Sequence, residues 1–256
     1  MLDLERDEQI LAQLKEKNAC TVYELAQKLY VSESTIRRDL TRMEQKGLVT
    51  RTFGGVIMKK ATGIDDSSFF LREKENLQEK RALAKEAASF IQSNSAIFID
   101  SSTTCLQIVS LLNDFHNLLI ITNGLTIANE IVMKTRHRVT LLGGTIQPAT
   151  NSVLGARTEK MVASYHADLA ILSTYSLDPD FGFSEQTEEQ ADIKKIMISN
   201  ANQSIMLVGS NKPDRKALAK TCDIGDISAI ISTNPLSEDY HRAAPKTRFI
   251  TPAKAL

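Results

Sequence analysis

Two amphipathic helical patterns separated by only two or three residues constrain this chain more tightly than any other feature. Within 21–29, Val22, Leu25, Ala26 and Leu29 fall at i, i+3, i+4 and i+7. Within 32–46, Ile36, Leu40 and Met43 fall at i, i+4 and i+7. A third pattern precedes them over about 4–17, with Leu4, Leu11 and Leu14 on one face and Ile10 beside them. So short a connection between two helices predicts a helix-turn-helix. Ser32 is a good N-cap for the second of the pair, because its hydroxyl can accept from the first free amides. Val31 and Ile36 stand at the N′ and N4 positions of a hydrophobic staple.

With Ile36, Leu40 and Met43 inward, geometry turns Ser34, Arg37, Arg38, Thr41 and Arg42 outward, with Ser32 and Thr35 at the helix start. Arginine can grip guanine O6 and N7 with two hydrogen bonds, and hydroxyls reach bases or phosphates. Gly47 is a natural helix stop. The stretch 48–57 then reads as a hairpin turning at Gly54-Gly55, a wing that places Arg51 against phosphate or the minor groove. Arginines on a lone helix usually just meet solvent, but here cap, turn, hairpin and charge agree. The chain carries no net charge, yet 28–60 holds eight Lys/Arg against three Asp/Glu, whereas 61–256 holds 20 against 22. A basic segment on a mildly acidic body can bind a polyanion locally.

Val31-Ser32-Glu33-Ser34-Thr35-Ile36-Arg37-Arg38-Asp39-Leu40, followed by Gly47, Arg51 and Gly54-Gly55, closely resembles the signature of DeoR-type repressors over about residues 5–57. The resemblance implies a transcription repressor of a sugar-utilisation operon, with Arg37 and Arg38 at double-stranded operator DNA.

The polar stretch 58–70 (MKKATGIDDSSFF) is expected to link a DNA-binding domain over 1–57 to a larger domain over 71–256. That domain opens with a helical pattern over roughly 72–92, and strands and helices then alternate. Strands are expected at 96–100, 118–122, 139–142, 169–173, 204–208 and 227–232, with helices near 104–113, 125–135, 156–165 and 187–201. Phe249-Ile250 adds an edge strand. Repeated βα units predict an α/β domain built on a mainly parallel sheet with helices on both faces.

Ligands of such sheets bind at the carboxyl ends of strands. Asp100-Ser101-Ser102-Thr103-Thr104 ends one strand and opens a helix, where amides and hydroxyls can cradle an anion. Thr122-Asn123-Gly124 ends the next, and Gly143-Gly144 the one after, where backbone can approach a ligand closely. Lys212 follows the strand 204–208 and can balance a phosphate charge. Alone, each is more often a cap, a turn or a solvated lysine; three such loops at consecutive strand ends argue together for a phosphate site.

The resemblance extends here. The second domain is similar to the effector domain of DeoR-type repressors, which implies a sugar-phosphate-isomerase-like fold and a phosphorylated sugar as effector. The pattern Asp-Ser-Gly-Thr-Thr becomes Asp100-Ser101-Ser102-Thr103-Thr104; Thr122-Asn123 and Gly143-Gly144 are kept, and Lys194 and Lys212 match lysines common in the family. Ser102 replaces a glycine, Gln190 an acidic residue and Gly209 an aspartate. Two of these changes remove a negative charge, and a serine at 102 restricts φ > 0.

Other classes are disfavoured. Cys20, Cys105 and Cys222 are far apart, so neither a disulfide framework nor a zinc site is expected, and a reducing cytoplasm fits. Aromatic residues make up only 5%, with no Trp, against a surface that stacks single-stranded bases. No run of about 18 apolar residues would span a membrane, and the charged start MLDLERDEQI lacks an apolar signal core. One rival is a sugar-phosphate isomerase carrying a DNA-binding appendage. Asp100 and Glu185 are its candidate acid and base, but no motif pairs them, and the four scattered histidines match no metal or triad pattern. Another is a second domain that only oligomerises. The expectation is therefore a non-enzymatic regulator with no cofactor or metal, acting as a homo-oligomer (dimer or tetramer) on repeated half-sites.

Overall fold

The computed structural model describes residues 3–17, 19–45, 48–52, 54–58 and 69–253. Gly47, Lys46, Phe53, the linker stretch 59–68 with Lys59 and Lys60, and the side chain of Leu4 lie outside the described residues. The chain divides into two units, Met1–Lys74 and Glu75–Leu256.

In the first unit α1 (Asp3–Lys17), β1 (Ala19–Thr21), α2 (Val22–Leu29) and α3 (Glu33–Gln45) lead into β2 (Val49–Thr52) and β3 (Gly55–Met58). Helix α2 starts on a capping box. The Thr21 hydroxyl accepts from the Glu24 amide at 3.1 Å, and the Glu24 carboxylate accepts from the Thr21 amide at 2.8 Å. Ser32 caps α3 as expected, its Oγ accepting from the Thr35 amide at 3.2 Å. Ile10, Leu14, Leu25, Ile36, Leu40 and Met43 fill the core, with Val31 packed against it.

The wing differs from expectation in two ways. Strand β1, too short to show a period, joins it, giving the order β1-β3-β2 with antiparallel pairing. The turn is also not Gly54-Gly55. Thr52 pairs with Gly55, so Gly55 already belongs to β3, and Gly54 just before it turns the chain at φ 83°. Gly55 lies in β3 opposite Thr21, where a Cβ would stand 2.6 Å from the Cys20 carbonyl oxygen. It is glycine because a strand crowds it.

The expected helix over 72–92 is broken. Helix α4 (Phe69–Lys74) closes the first unit, and α5 (Leu77–Ala88) opens the second. Between them Asn76 takes a left-handed φ of 51°, which no helix interior tolerates. The second unit continues with β4 (Ala96–Ile99), a 3₁₀ helix (Cys105–Asp114), β5 (Leu119–Thr122), α6 (Leu125–Lys134) and β6 (Arg138–Leu141). A hairpin of β7 (Thr145–Gln147) and β8 (Ser152–Leu154) and then α7 (Ala156–Val162) lead to β9 (Ala167–Ser173). After it come β10 (Ser176–Asp178), β11 (Gly182–Glu185), α8 (Glu188–Ser199), β12 (Ala201–Val208) and β13 (Ala219–Cys222). The described chain ends through β14 (Ala229–Ser232), α9 (Glu238–Ala243) and β15 (Arg248–Ile250).

A seven-stranded sheet runs β15-β14-β12-β9-β4-β5-β6, and every pairing in it is parallel. It is buried on both faces. Phe98, Ala170, Leu172 and Met206 cluster with Ile193 and Met197 of α8. Their alternating neighbours Ile97, Ile99, Ile171 and Ile205 turn the other way and are fully buried too. The antiparallel sheet β10-β11-β13 and the β7-β8 hairpin are additions that the regular βα pattern does not announce.

Candidate functional site

The outward face of α3 is polar. Ser32, Ser34, Arg37, Arg38 and Thr41 are exposed and Thr35 half-exposed. Arg37 pairs loosely with Glu33 one turn earlier at 2.9 Å, both well exposed. Arg51 of β2 joins this face, its Nη1 donating to the Thr41 hydroxyl at 2.9 Å. The wing and the recognition helix therefore present one continuous surface.

Arg42 sits apart from this group. Its side chain is only 28% exposed, and it bonds Asp7 of α1 at 2.6 Å and Asp39 at 3.0 Å. Asp39, fully buried, also takes Arg6 Nε at 2.6 Å and Nη2 at 3.1 Å. These four residues tie α3 to α1 through charge in the unit's interior. Period 3.6 puts Arg42 on the outer face; the long side chain folds back to the carboxylates.

In the second unit, the loops after β4, β5 and β6 stand at adjacent strand ends, as the sequence suggests. Those after β4 and β5 touch: Ser101 Cα lies 3.0 Å from the place a Cβ on Gly124 would take. Asp100 shapes the first loop, accepting from the amides of Ser102 and Ser173, each at 2.9 Å. Ser102 is a cap, its Oγ accepting from the Cys105 amide at 3.1 Å. It is not among the residues with positive φ, so serine is no burden to this loop. Thr122 Oγ1 accepts from the Gly124 amide at 3.0 Å, which folds the second loop.

The rest of this site is incomplete. Ser101 is 6% exposed, Thr104 8% and Asn123 1%. The hydroxyls of Ser101 and Thr104 make no hydrogen bond among the described residues. Asn123 Nδ2 donates to the Val153 carbonyl at 3.3 Å, but its fully buried Oδ1 has no partner. Thr103 is buried in the same loop.

Charges lie beneath these groups. Buried Lys194 of α8 bonds Glu185, lies 3.4 Å from Asp100 and donates to the Ser173 carbonyl at 2.6 Å. Burial disfavours its charge, but the two carboxylates outweigh that and hold its pKa above the ordinary lysine value. Lys194 thus balances the protein's own acids. It also joins Asp100 to Glu185, which no spacing in the sequence could pair. Burial, and next to it the Asp100 charge, push the Cys105 thiol well up.

The remaining expected residues are more peripheral. Gly143 and Gly144 are exposed after β6. A Cβ on Gly144 would lie 2.1 Å from Thr158 Oγ1, so α7 already fills the approach reserved for a ligand. Lys212 Nζ lies 5.0 Å from the Tyr175 ring centre and Arg215 5.6 Å, a cationic pair on one aromatic face. Gln190 donates to Ser152 Oγ at 3.2 Å, linking α8 to the β7-β8 hairpin. Near Gly209, Glu79 of α5 grips Ser210 Oγ at 2.9 Å and Thr233 Oγ1 at 3.4 Å. Tyr175, Arg215 and Glu79 carry no local sequence signal, because each reaches the strand ends from a different segment.

Comparison with known sequences is specific. The family model for the DeoR-like helix-turn-helix domain matches residues 6–62, and that for the DeoR C terminal sensor domain matches 75–234. An uncharacterized HTH-type transcriptional regulator of Bacillus subtilis (strain 168), YulB, is 32% identical over 92% of this chain and 91% of its own. The glycerol-3-phosphate regulon repressor of Escherichia coli (strain K12) is 26% identical over 92% of each. Among solved structures, a D-ribose-5-phosphate isomerase in complex with phospho-erythronic acid aligns over 54% of each chain, at 16% identity and a TM-score of 0.41.

Proposed function

This chain belongs to the DeoR family of transcriptional regulators, and on that premise we propose that it represses a carbohydrate-metabolism operon until a phosphorylated sugar binds its second unit. The family is regulatory rather than enzymatic. One observation carries the reading: the fully buried amide oxygen of Asn123 stands unpartnered among the described residues, at a strand end beside the unbonded hydroxyls of the largely buried Ser101 and Thr104. Buried polar groups are normally bonded. Ser101 and Thr104 offer donors to phosphate oxygens, and Asn123 Oδ1 offers an acceptor to a sugar hydroxyl. The E. coli relative named for glycerol 3-phosphate supports the same ligand chemistry.

The parts then divide the work. Ser32, Ser34, Thr35, Arg37, Arg38, Thr41 and Arg51 meet operator DNA, Arg37 and Arg38 on base edges, Arg51 on phosphate or in the minor groove, and the hydroxyls on bases or phosphate. Arg42 holds the recognition helix in place. The first unit carries the reading head in residues 1–57, and the second, Glu75–Leu256, acts as sensor, in a homo-oligomer that spans two half-sites. Asp100, Ser102 and Thr122 shape the sensor loops, Thr103 and Gly143-Gly144 flank them, Lys194 neutralises the floor, and Lys212 with Arg215 adds positive charge at the mouth. The ligand relieves repression by binding better to the arrangement of heads that DNA disfavours.

Thermal melting against a panel of sugar phosphates tests this, with unphosphorylated sugars and inorganic phosphate as controls. A ligand at 100 times its Kd stabilises the native state by about 2.7 kcal/mol, or roughly 5–11 °C for a unit of this size. The shift should vanish in Thr104→Val. No shift from any sugar phosphate, or one that Thr104→Val leaves intact, removes the proposed effector.

A further inference from the structure

The turn between α2 and α3 holds a residue that the fold does not want there. Tyr30 has φ 54° and ψ 42°, the left-handed conformation. The Tyr30 amide donates to the Gln27 carbonyl at 3.4 Å and the Val31 amide to the Ala26 carbonyl at 3.1 Å. These two bonds make the Schellman ending, whose left-handed position is usually glycine. A bulky side chain there is a clear exception. Burial does not compensate, since Tyr30 is 95% exposed, the most exposed large hydrophobic residue among those described. The ring therefore sits at a strained position without packing against the unit that carries it. Strained residues of this kind cluster at functional sites.

Its location says what. Tyr30 lies two residues before the α3 cap Ser32, at the end of the helix that carries exposed Ser34, Arg37 and Arg38. A phenol there has one polar group to offer, an O–H donor at the tip of a rigid arm. Building on the DNA-reading assignment of α3, we propose that Tyr30 is a DNA-positioning residue, its hydroxyl donating to a backbone phosphate beside the groove that α3 enters. Contacts to phosphate set register and orientation without reading sequence.

Because the contact is to backbone, the operator need not be known. The full chain, Tyr30→Phe, Tyr30→Gly and an Arg51→Ala control are titrated with a random-sequence 30-base-pair duplex at several low salt concentrations. Tyr30→Phe and Tyr30→Gly should each bind about ten- to a hundredfold more weakly, the worth of one hydrogen bond to a charged acceptor. Neither should change the slope of log K against log salt, because the lost donor is neutral. Arg51→Ala should flatten that slope by about one unit. Meanwhile Tyr30→Gly should raise the urea midpoint of the first unit, since glycine relieves the left-handed strain. Weaker binding in a more stable head separates a role at DNA from a role in folding. Undiminished binding by Tyr30→Gly overturns the proposal, as does weakened binding that comes with a lowered midpoint. If the parent chain fails to bind the duplex at low salt, the DNA-reading assignment of α3 falls first and this inference with it.

Discussion

The two units treat polar groups in opposite ways. In the first, the buried charges among the described residues are matched: Asp39 holds Arg6 and Arg42, and Asp7 holds Arg42 again. Its remaining polar side chains, from Ser32 to Arg51, stand in solvent, where leaving them alone costs little. In the second, the charges are matched through Lys194, yet the buried Asn123 oxygen is left open at a strand end, beside the unbonded hydroxyls of Ser101 and Thr104. A surface that meets a large, rigid polyanion can be complete before its partner arrives. A pocket that encloses a small molecule must bury some of the groups it reserves for that molecule. Incompleteness is thus informative in a sensor and uninformative in a DNA-reading head.

This contrast can be broken by substitution. The largest effect should come from Lys194→Met. It strands Glu185 and Asp100 as buried carboxylates, and removing one partner of a buried pair costs about 3–5 kcal/mol. Urea unfolding followed in the second unit should show that loss while the first unit keeps its midpoint. Equal losses in both units would mean that they do not unfold as separate bodies.

Next in size is the difference between two arginines of one helix. Arg42→Ala should destabilise the first unit by about 1–3 kcal/mol, because the Asp7 and Asp39 carboxylates lose a buried partner. Arg38→Ala should leave stability within about 0.5 kcal/mol and instead weaken operator binding by about 1–3 kcal/mol. A double set of melts and binding isotherms checks this. The contrast fails if both substitutions affect the same quantity.

The smallest effect concerns alkali. Burial pushes up the Cys105 thiol, and it raises Cys222 to about 12. A group whose pKa is raised by folding stabilises the native state fully below its unfolded pKa, and that contribution fades as pH climbs beyond it. The second unit should therefore hold its stability through neutral pH and lose it above about pH 9, where an unfolded thiol begins to ionise. Cys222→Ser should soften that fall, which melts from pH 7 to 10.5 would record. Identical curves for parent and variant would remove Cys222 from the account.

The parts of this molecule that were legible in sequence are those that local rules dictate. Helix α3 is written in the spacing of Ile36, Leu40 and Met43 and in the Ser32 cap. The loops at Asp100 and Thr122-Asn123 are marked by polar residues that end apolar runs. What stayed hidden depends on distant partners. Strand β1 exists because β3 pairs with it, not because Ala19–Thr21 favours extension. The break before α5 is made at Asn76, with neither glycine nor proline to announce it. Arg42 looked like its exposed neighbours because a helical wheel shows where a side chain leaves the backbone, not where a long one ends. Glu185 and Tyr175 reach the site from beyond β9, so their place in it is a fact of topology alone.

The open oxygen of Asn123 also bears on how this protein would respond to selection. An unmet buried hydrogen bond costs about 1–3 kcal/mol, so the ligand-free sensor sits below the stability its sequence could reach. A screen that rewards heat resistance alone would collect apolar replacements at 123 and score each as an improvement. On the proposed effector reading, the variants so obtained would be robust and deaf, because the imperfection they repair is the one through which the sensor hears.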